Sequence, residues 1–585
     1  MKSPLLLLLS FLAFSAAAQP APGPMMPREG AFVFGPATAL AADEALLPLA
    51  HYAAEYLGRP VRQQMTGTGA IVLTLEPGEP SEAYRLEIAP DYIRIGATSP
   101  GGAFNGLQAL FRLLPPEVYA QQGISDGTAL ACGIAADRPK YSYRGMMLDV
   151  ARTWVEVPML KRFINLLSYH NINKLHLHLA DDDGWRIQIK SHPELAEVGG
   201  FRGGDSPVAP VYGKWSEKYG GYYTQDEMRS LIEYAALRNI EIIPEIDLPG
   251  HSRCIGSVRP EIRCSYPPDT VTTAGTDYRS AWCVAREENY ALLEEILGEI
   301  CELFPSPYIH IGGDEVEVAQ WKKCPDCRAM MKRLGTVNPH RLQDYFMERL
   351  AAMLAARGKR PAVWNEAAAS GTFTRASRVH GWTSVGACHA ATAKGYRTVI
   401  MPSECFYFDM RQTLREEGHS WASIFDARRT YEFDPAARGF SDRQLRHVEG
   451  FEGAFWTEIY TSHEPEKPDY MDYMCFPRIC ALARLAWSGN DEGWESYYRE
   501  LVTDHYDRMA AMGIGFRLFP PQLRYANGTF TATADDNSEI CYTVDDGRPK
   551  RYTKPLRTAE PHRYRVFTRY KTGRSPQVAD NSYYR

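Results

Sequence analysis

Eight short apolar segments between residues 143 and 458 constrain the fold of this chain more than any other feature. Stretches with helical periodicity, such as QDEMRSLIEYAALRN and HRLQDYFMERLAAMLAARG, separate several of them. Strands that are apolar at nearly every residue and alternate with helices indicate a parallel sheet covered on both faces. Eight such units predict an α/β fold of the (β/α)8 TIM barrel type, with insertions. The segments are YRGMMLDVAR, KLHLHLADDD, IEIIPEIDLPGH, YIHIGGDE, RPAVWNE, SRVHGWTS, YRTVIMPS and FEGAFWTE.

Six of the eight segments change from apolar to charged, His or Trp residues near their C-terminal ends. In a barrel these ends meet on one face, where barrel enzymes place their catalytic residues. Contact with solvent would also make strand ends polar, but it would not favour Trp. The sequence therefore predicts a site at this face, built from Asp149 with Arg152, Asp181, Asp247 with His251, Asp314 with Glu315, Trp364 with Glu366, and Trp456 with Glu458.

Two adjacent carboxylates, Asp314 and Glu315, follow the strand in YIHIGGDEVE. In a regular strand neighbouring side chains point to opposite faces, so one of the two would be placed unfavourably. The preceding glycines allow backbone angles that other residues avoid, and the strand can end there. We expect both carboxylates to face one cavity.

The segments outside the barrel predict further domains. Residues 1–18 read as a cleaved signal peptide, with Lys2, an apolar run too short to span a bilayer, and small residues before the cleavage site. Residues 19–138 alternate β-type and amphipathic runs, which indicates an α+β accessory domain. The barrel is expected over residues 139–500, and the alternating runs of residues 519–585 predict a small β-sandwich-like appendage.

The chain has 585 residues, and its 65 basic and 71 acidic side chains give a formal net charge of −6. This balance gives no indication of a nucleic acid or an anionic membrane as partner. After the signal peptide no apolar segment is long enough to span a membrane. We expect an exported protein, periplasmic or secreted.

Twelve cysteines in an exported chain make some disulfides plausible, although spacing does not determine their pairing. Cys324 and Cys327 form a CxxC motif, but no second CxxC completes a set of four ligands. The sequence therefore favours a local disulfide or free thiols over metal at this motif. Other nearby candidates for bridges are Cys254, Cys264, Cys283 and Cys301.

Acidic pairs at such a site suggest glycoside hydrolysis, in which a carboxylic acid protonates the leaving oxygen. Two residues adjacent in sequence are poorly placed to approach a sugar from opposite faces, so Asp314 is not expected to be a nucleophile beside Glu315. A 2-acetamido group on the substrate can supply the nucleophile instead and form an oxazolinium ion. Asp314 then suits the role of orienting the acetamido N–H, and Glu315 the role of acid and base.

Several of these segments closely resemble the β-N-acetylhexosaminidases of glycoside hydrolase family 20. The resemblance covers most of the chain and rests on YRGMMLDVAR, NKLHLHLADDDGWRIQIKSHPELAEVGG, GGYYTQDEMRSLIEYAALRNIEIIPEIDLPGHS, YIHIGGDE and FWTE. It implies hydrolysis of terminal β-linked GlcNAc or GalNAc from oligosaccharides or glycoconjugates with retention, and it implies no cofactor and no catalytic metal.

The resemblance also implies roles for individual residues. Glu315 would be the general acid and base, Asp314 would orient the acetamido group, and Tyr407 would hydrogen-bond its oxygen. Sugar hydroxyls would be bound by Arg152, Asp409 and Glu458. Trp364, Trp382 and Trp456 would form the pocket walls, since the apolar faces of sugars stack on aromatic rings. His178, Asp181 and His251 would support the acid.

The sequence departs from the family pattern at VWNE, at GWTS and at Arg484, where a Glu is usual, which leaves specificity open. Three alternatives remain. They are a family member that releases a disaccharide (lacto-N-biosidase type), a non-catalytic glycan-binding barrel, and a zinc amidohydrolase that uses His176 and His178. For the preferred mechanism we expect burial near Asp314 to raise the pKa of Glu315.

Overall fold

The computed structural model describes residues 25–63, 69–264, 281–463, 468–534 and 537–579. The predicted signal peptide lies outside these residues. Among the described helices, none has both the length and the apolar composition needed to cross a bilayer.

The N-terminal part of the chain forms a six-stranded mixed sheet. From one edge to the other, its strands are Met26–Val33, Ala129–Asp137, Tyr84–Ile88, Tyr92–Ala97, Ala70–Leu75 and Ala39–Ala42. Helix Pro100–Leu113 packs on this sheet, and it begins where the Ser99 side chain accepts a hydrogen bond from the Gly102 N–H. Its first residue is a proline, which a helix tolerates at its first turn. Helix Leu47–Leu57 lies beside it.

The centre of the chain is a closed barrel of eight strands, and every neighbouring pair is parallel. The strands follow chain order around the barrel, and each overlaps one of the eight apolar segments. The predicted α/β (β/α)8 fold is therefore confirmed. In order, the strands are Tyr143–Asp149, Lys174–His178, Glu241–Glu245, Tyr308–His310, Arg360–Trp364, Arg378–Gly381, Arg397–Ile400 and Val448–Phe455.

Helices surround the barrel and cover the outer face of its strands. Helix Gln225–Ala236 shows why they start where they do, because Thr224 and Glu227 form a capping box that satisfies free N–H groups of the first turn. The longer helices after successive strands are Val157–Tyr169, Gln225–Ala236, Glu287–Leu303, His340–Ala356, Val385–Ala393 and Arg478–Ser488.

Two buried glutamates cross-link the barrel interior. Glu245 contacts His176, His178 and His310 at 3.1, 2.5 and 2.9 Å. Glu452 contacts His176 at 3.1 Å and His380 at 3.0 Å. These side chains are buried, so the carboxylates and imidazoles replace the hydrogen bonds that water would make. The network holds strands together directly beneath the carboxyl ends of the barrel.

The N-terminal sheet is attached to the barrel by the Glu82 carboxylate. Arg144 on the first barrel strand donates to both of its oxygens, at 2.9 and 2.8 Å. Asn173 and Asn239 add hydrogen bonds from the loops before the second and third strands. The pKa of Glu82 falls to about 2, because the Arg144 charge and these hydrogen bonds outweigh the effect of burial. The carboxylate is thus held ionised at the junction.

The C-terminal segment forms two small antiparallel sheets. Gln522–Ala526 and Thr529–Thr533 make a hairpin in one, while Glu539–Val544 and Tyr564–Tyr570 pair in the other. Leu523, Phe530 and Val566 belong to a hydrophobic cluster shared by the two sheets.

Candidate active site

A cavity of about 350 Å³ opens at the carboxyl ends of the barrel strands. Nine of the predicted site residues line it, and three further side chains complete the wall. The lining residues are Arg152, Tyr212, His251, Asp314, Glu315, Trp382, Tyr407, Asp409, His419, Trp421, Trp456 and Glu458. A larger cavity, of about 770 Å³, lies near the C-terminal sheets, but none of the predicted site residues lines it.

Two glycines place the carboxylate pair. The fourth strand ends at His310, and Gly312 and Gly313 have φ angles of +63° and +97°. A Cβ on Gly312 would lie 1.7 Å from Oδ1 of Asp247, and a Cβ on Gly313 would lie 2.5 Å from Cβ of Ala367. Only glycine fits this bend. Beyond it, Asp314 and Glu315 both line the same cavity, as the sequence predicts.

Asp314 is buried beside a second carboxylate. The residue is 7% exposed, and its Oδ1 has no hydrogen-bond partner among the described residues. Burial and the nearby charge of Asp247 raise the pKa of Asp314 well above its ordinary value. Burial also raises the pKa of Asp247, to about 7. Asp247 accepts the Gly313 N–H at 3.2 Å, which ties this carboxylate to the bend before Asp314.

Glu315 stands at the mouth of the cavity and contacts His251. Its side chain is 51% exposed, and its Oε2 lies 3.5 Å from Nε2 of His251. The hydrogen bond from His251 lowers the pKa of Glu315 and outweighs burial. The expectation that burial raises this pKa is therefore wrong for the protein without substrate, because the carboxyl group is half exposed and faces a cation. Both Glu315 and His251 have φ angles of +45°.

His251 is held in place by acidic neighbours. Its Nδ1 lies 3.5 Å from Asp181 and 3.4 Å from Asp182, and its Nε2 lies 3.9 Å from Asp314. Burial favours the neutral ring, but the charge of Asp181 and hydrogen bonds to the carboxylates raise the pKa of His251 well above its ordinary value. The imidazolium thus links Asp181 to both members of the carboxylate pair.

Arg152 projects from the loop after the first strand. Its guanidinium contacts Asp181 at 2.8 Å and Asp149 at 3.5 Å, and it lies 5.0 Å from the ring centroid of Trp456. Asp149 also accepts the Arg152 N–H, at 3.0 Å. The buried carboxylates therefore fix both the backbone and the side chain of an arginine that lines the cavity.

Aromatic rings form one side of the cavity. Trp382 and Tyr407 are nearly parallel at a centroid distance of 6.0 Å, and Trp456 lies 6.0 Å from Tyr407. Trp364 is placed differently from the predicted wall: it is fully buried and is not a lining residue. It packs 6.1 Å from Trp456 and 4.6 Å from His310, beneath the lining rings.

Asp409 and Glu458 lie together in the remaining wall. Asp409 is 4% exposed, and neither carboxylate oxygen has a hydrogen-bond partner among the described residues. Burial and the charge of Glu458 raise the pKa of Asp409 to about 7. Glu458 lies 3.7 Å from His419. Buried acceptors without partners in a cavity are suited to bind hydroxyl groups of a ligand.

His178 and Asp181 lie beneath the cavity and not in its wall. His178 contacts Asp181 at 2.9 Å through Nε2 and Glu245 at 2.5 Å through Nδ1. His176 likewise faces Glu452 and Glu245. Both imidazoles proposed as ligands in the amidohydrolase alternative thus bridge carboxylates. His178 in turn contacts Asp181, the carboxylate that binds Arg152 and lies near His251.

Sequence reasoning missed Tyr212, His419 and Trp421 as lining residues. They come from long connections between strands, and no spacing rule places such residues over the barrel. Trp421 is 59% exposed at the rim, and its ring lies 6.2 Å from Trp382. Glu366, noted in the sequence only as a polar strand end, accepts hydrogen bonds from the Glu315 N–H at 3.4 Å and from the Trp382 indole at 3.1 Å.

Two family models match the chain. Residues 141–490 match the glycosyl hydrolase family 20 catalytic domain, and residues 18–137 match domain 2 of that family. A β-hexosaminidase from Vibrio furnissii is 34% identical over 421 residues, which are 71% of this chain and 67% of the relative. A β-hexosaminidase from Akkermansia muciniphila is 30% identical over 459 residues, which are 76% of this chain and 87% of the relative.

Solved structures are similar along most of the chain. A family 20 exo-β-N-acetylglucosaminidase from Vibrio harveyi, in complex with N-acetylglucosamine, has a TM-score of 0.77 and 31% identity, covering 88% of this chain and 81% of its own. A β-N-acetylhexosaminidase from Streptomyces coelicolor has a TM-score of 0.73 and 30% identity, covering 85% and 96%. Given the matching catalytic model, these relatives and the shared fold, the chain belongs to glycoside hydrolase family 20 and is a glycoside hydrolase.

Proposed function

We propose that the protein is an exo-acting β-N-acetylhexosaminidase that removes terminal, non-reducing β-linked GlcNAc or GalNAc from glycans with retention. The observation that carries this proposal is the buried Asp314, with an unpartnered Oδ1, directly beside the half-exposed Glu315 in one cavity. Such a pair suits a substrate that brings its own nucleophile. The cavity of about 350 Å³ is at the small end of the usual range of about 300–1,000 Å³ for ligand pockets. We propose release of one sugar, and a disaccharide substrate tests the alternative.

In the first step of the proposed reaction, the acetamido oxygen attacks the anomeric carbon while Glu315 donates its proton to the glycosidic oxygen. The bond from the anomeric carbon to the leaving group breaks, and an oxazolinium ion forms. Asp314 accepts a hydrogen bond from the acetamido N–H and stabilises the positive charge. In the second step Glu315 removes a proton from water while the water oxygen attacks the anomeric carbon. The bond from that carbon to the acetamido oxygen breaks, so the oxazolinium ring opens and the acetamido group is restored.

This reaction needs a proton on Glu315 and a charge on Asp314, whereas the substrate-free site favours the opposite arrangement. A bound acetamido N–H that donates to Asp314 would lower its pKa, and a sugar covering Glu315 would raise the pKa of that residue. Substrate binding would therefore place the proton where the reaction needs it. The two carboxyl groups are expected to titrate as one coupled pair.

We expect hydrolysis of p-nitrophenyl β-GlcNAc and little or no hydrolysis of p-nitrophenyl β-glucoside, because only the first substrate carries the acetamido nucleophile. Asp314→Asn should lower kcat on the first substrate. Initial rates at matched concentrations measure both effects, and p-nitrophenyl lacto-N-bioside tests the disaccharide alternative. Equal turnover of the glucoside would overturn the substrate-assisted mechanism, and preferred turnover of the bioside would overturn exo-release of one sugar.

The pH dependence of kcat/KM should respond to His251. The reactive form is the singly protonated pair, so a bell-shaped profile is expected, with an acid limb where the pair loses its first proton and an alkaline limb where it loses its second. The cationic imidazole lowers the pKa of both carboxyl groups. His251→Asn removes that cation, and asparagine adopts a positive φ more readily than most residues. Both pKa values should therefore rise, and the whole bell should move to higher pH by about one pH unit. A loss of kcat/KM without displacement of the bell would show that His251 has only a structural role.

The sequence-based expectation of export, to the periplasm or the medium, accords with a glycan substrate outside the cytoplasm. We propose this location together with the function, and cell fractionation with an activity assay tests it.

A further inference from the structure

Four cysteines from two loops meet at a single point outside the candidate active site. Cys264 and Cys283 come from the connection after the third barrel strand, and Cys324 and Cys327 from the connection after the fourth. Their sulfurs all lie within 4.8 Å of one another. Cys264 is 9% exposed and the other three are fully buried.

The distances match a tetrahedral metal site better than disulfides. Zn–S bonds of about 2.3 Å in a tetrahedron place the sulfurs about 3.8 Å apart. Cys327 lies 3.8 Å from Cys264 and 3.7 Å from Cys283. A disulfide requires about 2.05 Å and joins one sulfur to one partner. Here Cys327 is nearly equidistant from two sulfurs, which is the arrangement of ligands around a common centre.

The local backbone also suits thiolate ligands. Cys324 and Cys327 are spaced C-x2-C at the start of helix Pro325–Arg333, a spacing found in structural zinc sites. The motif therefore supplies two of the four sulfurs with a spacing that such sites use.

We propose that Cys264, Cys283, Cys324 and Cys327 form a tetrathiolate site that binds one zinc ion. Sequence reasoning favoured a disulfide or free thiols here, because only one CxxC motif is visible. The fold supplies the other two ligands from a connection whose path the sequence does not reveal. A set of four sulfurs leaves no position for water or substrate, so the ion would be structural.

The site joins the loop that carries His251 to the loop that carries Glu315. Trp282, next to Cys283, donates its N–H to the Pro249 carbonyl at 3.0 Å and its indole N–H to Ser252 at 3.0 Å, on either side of His251. Trp321 lies between Glu315 and Cys324 in the sequence, and its indole N–H donates to the Trp282 carbonyl at 3.0 Å. A bound ion would therefore stabilise the relative positions of His251 and Glu315 without contacting substrate.

Metal analysis of the full chain, purified without chelator, tests this proposal independently of any glycosidase activity. We expect one zinc per chain by atomic emission, and loss of that zinc in Cys324→Ser and in Cys283→Ser. Cys301→Ser is the matched control, because it is a buried cysteine outside the cluster, and it should retain the metal. Removal of the ion from the wild type by a chelator should lower Tm.

Two measurements on the wild type do not depend on whether the variants fold. Thiol titration of the denatured wild type without reductant should find all twelve cysteines reduced, and cobalt(II) in place of zinc should give a thiolate charge-transfer band. Four fewer reactive thiols with no bound metal would show two disulfides and overturn the proposal. Twelve free thiols with no metal, or metal retained in both cluster variants, would also overturn it.

Discussion

Replacement of Glu315 by glutamine is expected to lower kcat on p-nitrophenyl β-GlcNAc by about 10²–10⁴-fold, the usual contribution of a general acid. This loss corresponds to about 3–5 kcal/mol of transition-state stabilisation. Glutamine has nearly the same shape but carries no acidic proton. Since the side chain is half exposed, Tm should change little. Steady-state kinetics with a thermal melt of each protein provide the measurement.

A second comparison separates proton donation from a general disturbance of the site. The defect should be smaller for a dinitrophenyl glycoside, whose leaving group needs little protonation, than for a methylumbelliferyl glycoside. Glu317→Gln is the control, because Glu317 is an exposed carboxylate two residues away and does not line the cavity. Equal defects for all leaving groups would contradict the role of Glu315 as the acid.

Replacement of Gly312 by alanine should damage both stability and turnover. The new Cβ would lie 1.7 Å from Oδ1 of Asp247 and 2.8 Å from its Cα, so backbone as well as side chain must move. Asp247 accepts the Gly313 N–H, and this movement would displace Asp314. A displacement of about 1 Å at a catalytic group costs about 10²-fold in rate. We expect a loss of kcat of that size and a markedly lower Tm.

Gly335→Ala provides the matched control. Gly335 has a φ of +64°, against +63° at Gly312, but a Cβ there would meet no heavy atom within 4 Å. In the control, the free energy of unfolding should fall only by the cost of an alanine in the left-handed conformation, about 1–2 kcal/mol. Its kcat should be unchanged. If Gly312→Ala behaved like Gly335→Ala in both assays, close packing against Asp247 would not be the reason why residue 312 is a glycine.

The sequence predicts the barrel well because its strands are buried on both faces and leave uninterrupted apolar runs. It also predicts the bend after the fourth strand, since two glycines directly before two acids indicate that the regular strand ends there. The sequence does not predict the position of Trp364, because a tryptophan near a strand end can lie in the wall of a cavity or below it.

The direction of the pKa shift of Glu315 could not be predicted from the sequence, for a similar reason. Its pKa is governed by His251, which lies far away in sequence and approaches through a loop. The cysteine cluster could not be predicted for the same reason, since forty residues lie between Cys283 and Cys324. Tyr212 and Trp421 are further examples, as they reach the cavity from irregular connections. Contacts between loops depend on the three-dimensional path of the chain, and local patterns do not encode that path.

Glu315 and His251 both have φ angles of +45°, although neither is a glycine. Each such conformation costs roughly 1–3 kcal/mol, which the surrounding structure must offset. A glycine at either position would relax the backbone while removing the carboxylate or the imidazole. Heat resistance and turnover therefore impose opposite demands at these two positions. Engineering of a more durable enzyme should leave residues 251 and 315 unchanged and seek its gains in other parts of the chain.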